Sequence, residues 1–250
     1  MQFRLPDHRD HLLVMARVAE QTERYDEMVA CMRRAVKLSP DLLPEERQLL
    51  AVAYKHVVTS RRASWRVAKS VEEAESEGAG SATATGAAAA QQLTLTKNYR
   101  KQIEAEVLEV CGDLHALLER YLLPAASSDE AKVFFLKLKG DYFRYCAEIV
   151  ETDEEREKAH EAYTKASEIA TNLRPLNPLR LGLALNFSVY YLEVLKSPDK
   201  ACQLARQAFE EAINDDDDLD EEQRREAALI MQLLRDNLFL WTEEDAEERD

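Results

Sequence analysis

Glycine and proline are scarce, with 6 and 7 in 250 residues, which disfavours a β-rich fold stitched by many tight turns and favours long helices. No apolar run approaches the ~18 residues that a membrane span needs, so no membrane insertion is expected. The N-terminal stretch Met1–Val14 carries too many charges for a secretory leader. Cysteine is limited to Cys31, Cys111, Cys146 and Cys202, far apart and without a C-x-x-C pattern, so neither a disulfide frame nor a zinc site is expected. Cations are in deficit: 33 Lys and Arg face 48 Asp and Glu, for a net charge of -15. That sign excludes general binding to nucleic acid or to an anionic membrane surface, both of which need a basic field. An anion site here must be a local basic cluster in an acidic body. The expected address is the cytosol, with nuclear access open.

What the sequence has is helical periodicity. Apolar residues make up 46% of the chain and charged residues 32%, enough for a core and a solvated face. Proline and caps divide the periodic stretches. Pro6-Asp7 opens a helix ending near Thr22; a second runs from about Arg24 to Leu38 and stops at Ser39-Pro40; Pro44-Glu45-Glu46 forms the first turn of a third. Residues from about 77 to 90 turn to Gly, Ser, Thr and Ala and read as a flexible insertion whose Ala run is open to helix. Helices then fit 91–122, 129–151, 153–173, 178–196, 199–213 and 221–242, with the acidic run Asp215–Asp218 before the last and an acidic tail over 243–250. The expectation is a single all-α domain of nine antiparallel helices over 1–250, packed in tetratricopeptide fashion around a concave amphipathic groove.

Three features carry chemistry. On the third helix, Lys55, Arg62 and Arg66 fall within roughly 20° of one line at 100° per residue. Their neighbours at helical spacing are Ala51, Val58, Thr59 and Ser70, none of them an acid. A solvated cationic face is the ordinary explanation of such a stripe; the lack of local carboxylates points to an anion instead. On the helix from Asp129, Lys137 and Arg144 repeat the spacing, Tyr145 adjoins them, and Asp141 stands where it can hold a guanidinium in place by a fork of hydrogen bonds to its carboxylate. Arginine forks and a phenol suit a phosphate monoester, which carries about -1.5 to -2 charge at neutral pH. Two later stripes, Leu185, Asn186, Val189 and Glu193, then Leu233, Asn237, Leu240 and Trp241, place an amide among apolar residues. Apolar stripes alone are usually core, but a buried amide needs partners, which an extended peptide backbone supplies.

These stretches resemble the 14-3-3 family from about His11 to Trp241, in RYDEM (24–28), LLAVAYKHVVTSRRASWR (49–66), KVFFLKLKGDYFRY (132–145), NPLRLGLALNFSVYYLEVL (177–195), SPDKACQLA (197–205) and LIMQLLRDNLFLW (229–241). The resemblance implies a W-shaped homodimer of nine-helix protomers and a non-catalytic adaptor that binds phosphoserine or phosphothreonine segments of client proteins. It assigns the phosphate grip to Lys55, Arg62, Arg144 and Tyr145, with Arg66 and Lys137 enlarging the basic wall. Backbone-holding amides fall on Asn186 and Asn237, a polar contact on Glu193, and the apolar wall on Leu185, Val189, Leu233, Leu240 and Trp241. Arg24 and Glu106 match an intersubunit ion pair of the family, and Ser64 falls at the dimer contact. A second pair keeps Glu27 but has Gln102 where the family has a cation, and His11 replaces a third acid. These departures, with the longer 77–90 stretch, weaken the expected dimer and leave the groove intact.

Competing readings fare worse. Glu157-Lys158-Ala159-His160 has the E-x-x-H spacing of a di-iron carboxylate bundle, but that site needs two copies and no other histidine has an acid three residues before it. No phosphate-binding Gly loop, G-x-S-x-G or H-E-x-x-H is present, so no enzyme, metal or cofactor is expected. The alternative is a tetratricopeptide-like scaffold for unmodified peptides, on which two cation-bearing helices would be wasted.

Overall fold

The computed structural model describes residues 4–78, 86–215 and 219–247. Among the described residues there are nine long α-helices and no strand: α1 (Arg9–Gln21), α2 (Tyr25–Leu38), α3 (Pro44–Gly78), α4 (Gly86–Leu117), α5 (Asp129–Val150), α6 (Asp153–Ala170), α7 (Pro178–Glu193), α8 (Pro198–Ile213) and α9 (Glu221–Glu247). A π-helical turn, Leu118–Leu122, extends α4, and a single helical turn spans Leu123–Ala125. The all-α expectation is met. Two boundaries differ from it. α4 begins at Gly86 rather than Gln91, because Ala87–Ala90 have the highest helix propensity of any residue type. α9 continues past Thr242 to Glu247, since no Gly or Pro interrupts it. Of the stretch read as an insertion, residues 77, 78 and 86–90 are therefore helical, and 79–85 lie outside the described residues, as do 216–218 and 248–250.

Local chemistry sets the helix ends. Glu46, the third residue of α3, reaches back to accept the Leu43 N–H at 2.9 Å, and Arg9 grips the same carboxylate through two bonds of 2.9 and 2.6 Å. Ser128 caps α5 by accepting the Ala131 N–H at 3.1 Å. Asn177 caps α7, accepting from Leu179 at 2.9 Å, with Pro178 at its first turn. With glycine so scarce, Glu23, Glu151 and Lys196 take the left-handed conformation that turns the chain between helices.

The chain divides into two compact units, Met1–Leu122 and Leu123–Asp250. In the first, α1 packs on α2, α2 on α3 and α3 on α4, burying Leu12, Met28, Cys31, Met32, Leu50, Tyr54 and Leu114. The Tyr54 hydroxyl donates to Asp113 on α4 at 2.6 Å, and Arg33 on α2 meets the other oxygen of that carboxylate at 3.3 Å. In the second unit, α7 touches α5, α6, α8 and α9. Alanine lets the helices approach closely: Ala159, Ala162, Ala166 and Ala170 line the buried face of α6, and Ala201, Ala205 and Ala212 that of α8. Tyr163, Phe187 and Tyr190 fill the space between α6 and α7, with Tyr163 stacked on Phe187 at a 5.2 Å centroid separation.

Candidate functional site

In the first unit, α3 carries the predicted cation stripe. Lys55 and Arg66 are exposed and Arg62 is half-buried. The expectation that these cations lack partners is not met for Arg62 and Arg66, both of which take part in contacts within the fold.

In the second unit, the predicted residues of α5 and α7 converge on one buried carboxylate. Asp141 lies on the face of α5 that meets both α6 and α7. Its Oδ2 accepts from the Lys137 ammonium at 2.9 Å. Its Oδ1 accepts from the Tyr163 hydroxyl of α6 at 2.6 Å and from the Asn186 amide of α7 at 2.8 Å. Arg144 stands one turn along, with Nη2 3.6 Å from Asp141 Oδ1, Nε donating to the Tyr163 oxygen at 3.2 Å, and Nη1 3.8 Å from Glu193. Its guanidinium also lies over the Tyr145 ring, 4.8 Å from the centroid. Asp141 does hold Arg144, as the sequence suggests, but without the expected fork of hydrogen bonds. The tight bonds of the carboxylate go to Lys137, Tyr163 and Asn186.

The electrostatics follow from this arrangement. Burial opposes ionisation of Asp141, but Lys137, Arg144 and the hydrogen bonds from Tyr163 and Lys137 outweigh it, holding the carboxyl below the usual aspartate range. Burial also opposes the Arg144 charge; Tyr163 and Asp141 again prevail and keep the guanidinium pKa above its ordinary value. Burial, then Asp141, push the Tyr163 phenol well up, so it keeps the proton it donates. Two cations face one internal carboxylate, Asp141, and the exposed Glu193 lies 3.8 Å from Arg144.

The two amides differ in their surroundings. Asn186 already donates to Asp141, so a partner for its amide is supplied within the protein. Asn237 is half-buried on α9. Leu185 and Val189 are half-buried against the α7–α9 core. Leu233 and Leu240 are 43% and 54% exposed on α9, whereas Trp241, at 7%, belongs to the core itself. Two residues were missed. Leu229, one turn before Leu233, is also exposed, and the i, i+4 spacing was legible. Tyr163 was not: it lies on another helix, and nothing in sequence ties it to Asp141 or Arg144.

The remaining predicted residues lie in the first unit. Arg24 pairs with Glu27 in its own chain, with Nε 2.9 Å from the carboxylate. Glu106 lies 3.6 Å from Arg61, which also meets Asp26 at 2.9 Å. Ser64 is exposed, its hydroxyl donating to the Ser60 carbonyl at 3.1 Å. His160 packs among Phe187, Tyr190 and Tyr191, and among the described residues no cluster of His, Cys, Asp and Glu could hold a metal. No described helix is long and apolar enough to cross a membrane.

The family model described as 14-3-3 protein matches residues 15–242. The chain is 49% identical to 14-3-3 protein epsilon of Drosophila melanogaster, over 97% of this chain and 91% of that one. It is 46% identical to 14-3-3-like protein 2 of Caenorhabditis elegans, over 97% and 95%, and 49% identical to the 14-3-3 protein homolog of Trichoderma harzianum, over 96% and 89%. With a family match that spans the cation stripe of α3, the Asp141 cluster and the stripes of α7 and α9, the chain belongs to the 14-3-3 family of non-catalytic adaptor proteins.

Proposed function

We propose that the protein binds client segments carrying phosphoserine or phosphothreonine, and that Lys55, Arg62, Arg144 and Tyr145 hold the phosphate while Arg66 and Lys137 add to the basic wall. The observation that supports this most is the Asp141 cluster. It gathers two cations around one buried carboxylate, an arrangement that suits an incoming dianion. Asn186 and Asn237 then bind the peptide backbone, and Leu185, Val189, Leu233 and Leu240 take the flanking side chains. A charge-assisted hydrogen bond contributes ~1.5–3 kcal/mol, so reversing Lys55 to Glu should weaken a fluorescent phosphoserine peptide at least tenfold in a polarisation assay. A folded Lys55→Glu variant that binds as tightly as wild type would show the grip to be misplaced.

The same reading includes self-association, carried by the first unit. Between α3 and α4 an open groove of about 670 Å³ is lined by Ser64, Val67, Val71, Leu95 and Tyr99, with Val67 65% and Tyr99 62% exposed. On α1, Val14 and Val18 form a second exposed apolar strip one turn apart. A second copy satisfies both surfaces at once, the α1 strip of each entering the groove of the other, as two-fold symmetry requires. This apolar contact can hold the dimer although Gln102 stands at a position that carries a cation in the family.

A further inference from the structure

We infer that Tyr163 and Gly140 form a positioning device for Arg144, a role that rests on the phosphate-binding reading and adds two residues to it. Tyr163 is fully buried, and its hydroxyl sits between two groups of opposite charge. It donates a hydrogen bond to Asp141 Oδ1 at 2.6 Å and accepts one from the Arg144 Nε–H at 3.2 Å. A phenol is one of few side chains that can donate to a carboxylate and accept from a guanidinium through one atom. Asp141 cannot do this alone, because its oxygens are taken by Lys137, Tyr163 and Asn186, and its nearest Arg144 nitrogen stands at 3.6 Å. Fixing Nε orients the plane of the guanidinium, with Nη2 toward Asp141 at 3.6 Å and Nη1 toward the exposed Glu193 at 3.8 Å. An arginine held this way loses less side-chain entropy when an anion arrives.

Gly140 makes the arrangement fit. A Cβ built there would lie 2.8, 2.9 and 3.0 Å from ring carbons Cδ1, Cε1 and Cγ of Tyr163, the first two closer than carbon atoms approach. The ring has little room to retreat, since it is stacked on Phe187. Any larger residue at 140 would move the ring, and with it the hydroxyl that fixes Arg144. Neither residue touches the ligand in this account; both act through Arg144.

The test begins with the wild-type chain and needs no ligand. The Arg144 Nε–H should give a resolved nitrogen-correlated NMR signal in slow exchange with water; a signal averaged with those of the exposed arginines would overturn the inference. Tyr163→Phe keeps the ring and removes only the bridging oxygen. It should accelerate exchange of that Nε–H and weaken a phosphoserine peptide at least fivefold, with less than a twofold effect on an unphosphorylated peptide. Gly140→Ala should do the same, whereas Gly112→Ala, where nothing lies within 4 Å of the new Cβ, should not. A Tyr163→Phe protein that merely melts earlier, with Arg144 exchange and phosphate preference unchanged, would reduce Tyr163 to a packing residue. Lys55→Glu is the reference: if it loses the phosphopeptide while Tyr163→Phe keeps it, the positioning role alone fails; if neither loses it, the phosphate reading fails first.

Discussion

Asp141→Asn tests the cluster at its centre. The substitution keeps the shape of the side chain and removes one charge. Asp141 now accepts three hydrogen bonds, from Lys137, Tyr163 and Asn186, and faces two cations. An asparagine has one carbonyl oxygen to offer and must aim its NH₂ at one of these donors. Removing one partner from a buried ion pair costs about 3–5 kcal/mol, because the remaining charge is left uncompensated. That is a large share of the 5–15 kcal/mol that holds a domain together. For a chain of this size each kcal/mol corresponds to ~2–4 °C in Tm, so thermal unfolding at neutral pH should fall by roughly 6–20 °C. The pH dependence gives a second check. The folded carboxyl titrates below its unfolded value, so its contribution is complete at neutral pH and disappears as pH falls through the ordinary aspartate range toward the folded pKa. The gap between wild type and Asp141→Asn should hold from pH 7 to pH 5 and narrow below about pH 4, where the protonated acid is as neutral as the amide. Equal stability at pH 7, or a gap that widens in acid, would refute the view that Asp141 is an ionised anchor.

Other perturbations separate the remaining parts. Val189→Asp places a carboxylate at the half-buried apolar wall and should weaken phosphorylated and unphosphorylated peptides alike, whereas Lys55→Glu should penalise the phosphorylated ones most; four binding constants with matched peptides decide it, and a Val189→Asp protein that binds both normally removes that wall. Ser64 follows Arg61-Arg62-Ala63, a basophilic-kinase pattern, and lines the α3–α4 groove, so Ser64→Glu should raise the monomer fraction in sedimentation at low micromolar concentration; an unchanged mass would count against the groove as the self-association surface. Burial, then Glu27, push the Cys31 thiol up to about 11, which leaves on the order of 100-fold less thiolate than a free cysteine at neutral pH. A thiol reagent should therefore modify the partly exposed Cys202 first and Cys31 only on unfolding, and early labelling of Cys31 would show that the α1–α2 core opens.

Much of the fold was legible because helix ends are written in local chemistry. Pro44-Glu45-Glu46, Ser128 and Asn177-Pro178 each mark a start that the structure keeps to within a residue. The shifted ends have equally local causes: the alanine run beside the Gly/Ser/Thr stretch is the best helix former and joins α4, and the acidic end of α9 has no breaker. The site was legible as a list of residue types and less so as a set of contacts. Helical spacing placed Lys137, Asp141 and Arg144 together because all lie on α5. It could not show that Asn186, 45 residues away, donates to the same carboxylate, nor that Tyr163 bridges it to Arg144. Trp241 was assigned to the apolar wall with Leu240, yet it is turned 100° from that neighbour on α9 and faces the core. Adjacency in sequence is a poor guide to which side of a helix meets a ligand.

The central claim is that binding energy depends on the phosphate. Two or more charge-assisted hydrogen bonds, at ~1.5 kcal/mol or more each, amount to about 3 kcal/mol, or roughly a hundredfold in affinity. Titration calorimetry of the wild-type protein with a phosphoserine peptide and its unphosphorylated twin measures that ratio directly. The account predicts a preference of about a hundredfold for the phosphorylated peptide; equal affinity for the two would contradict it and favour a scaffold for unmodified peptides.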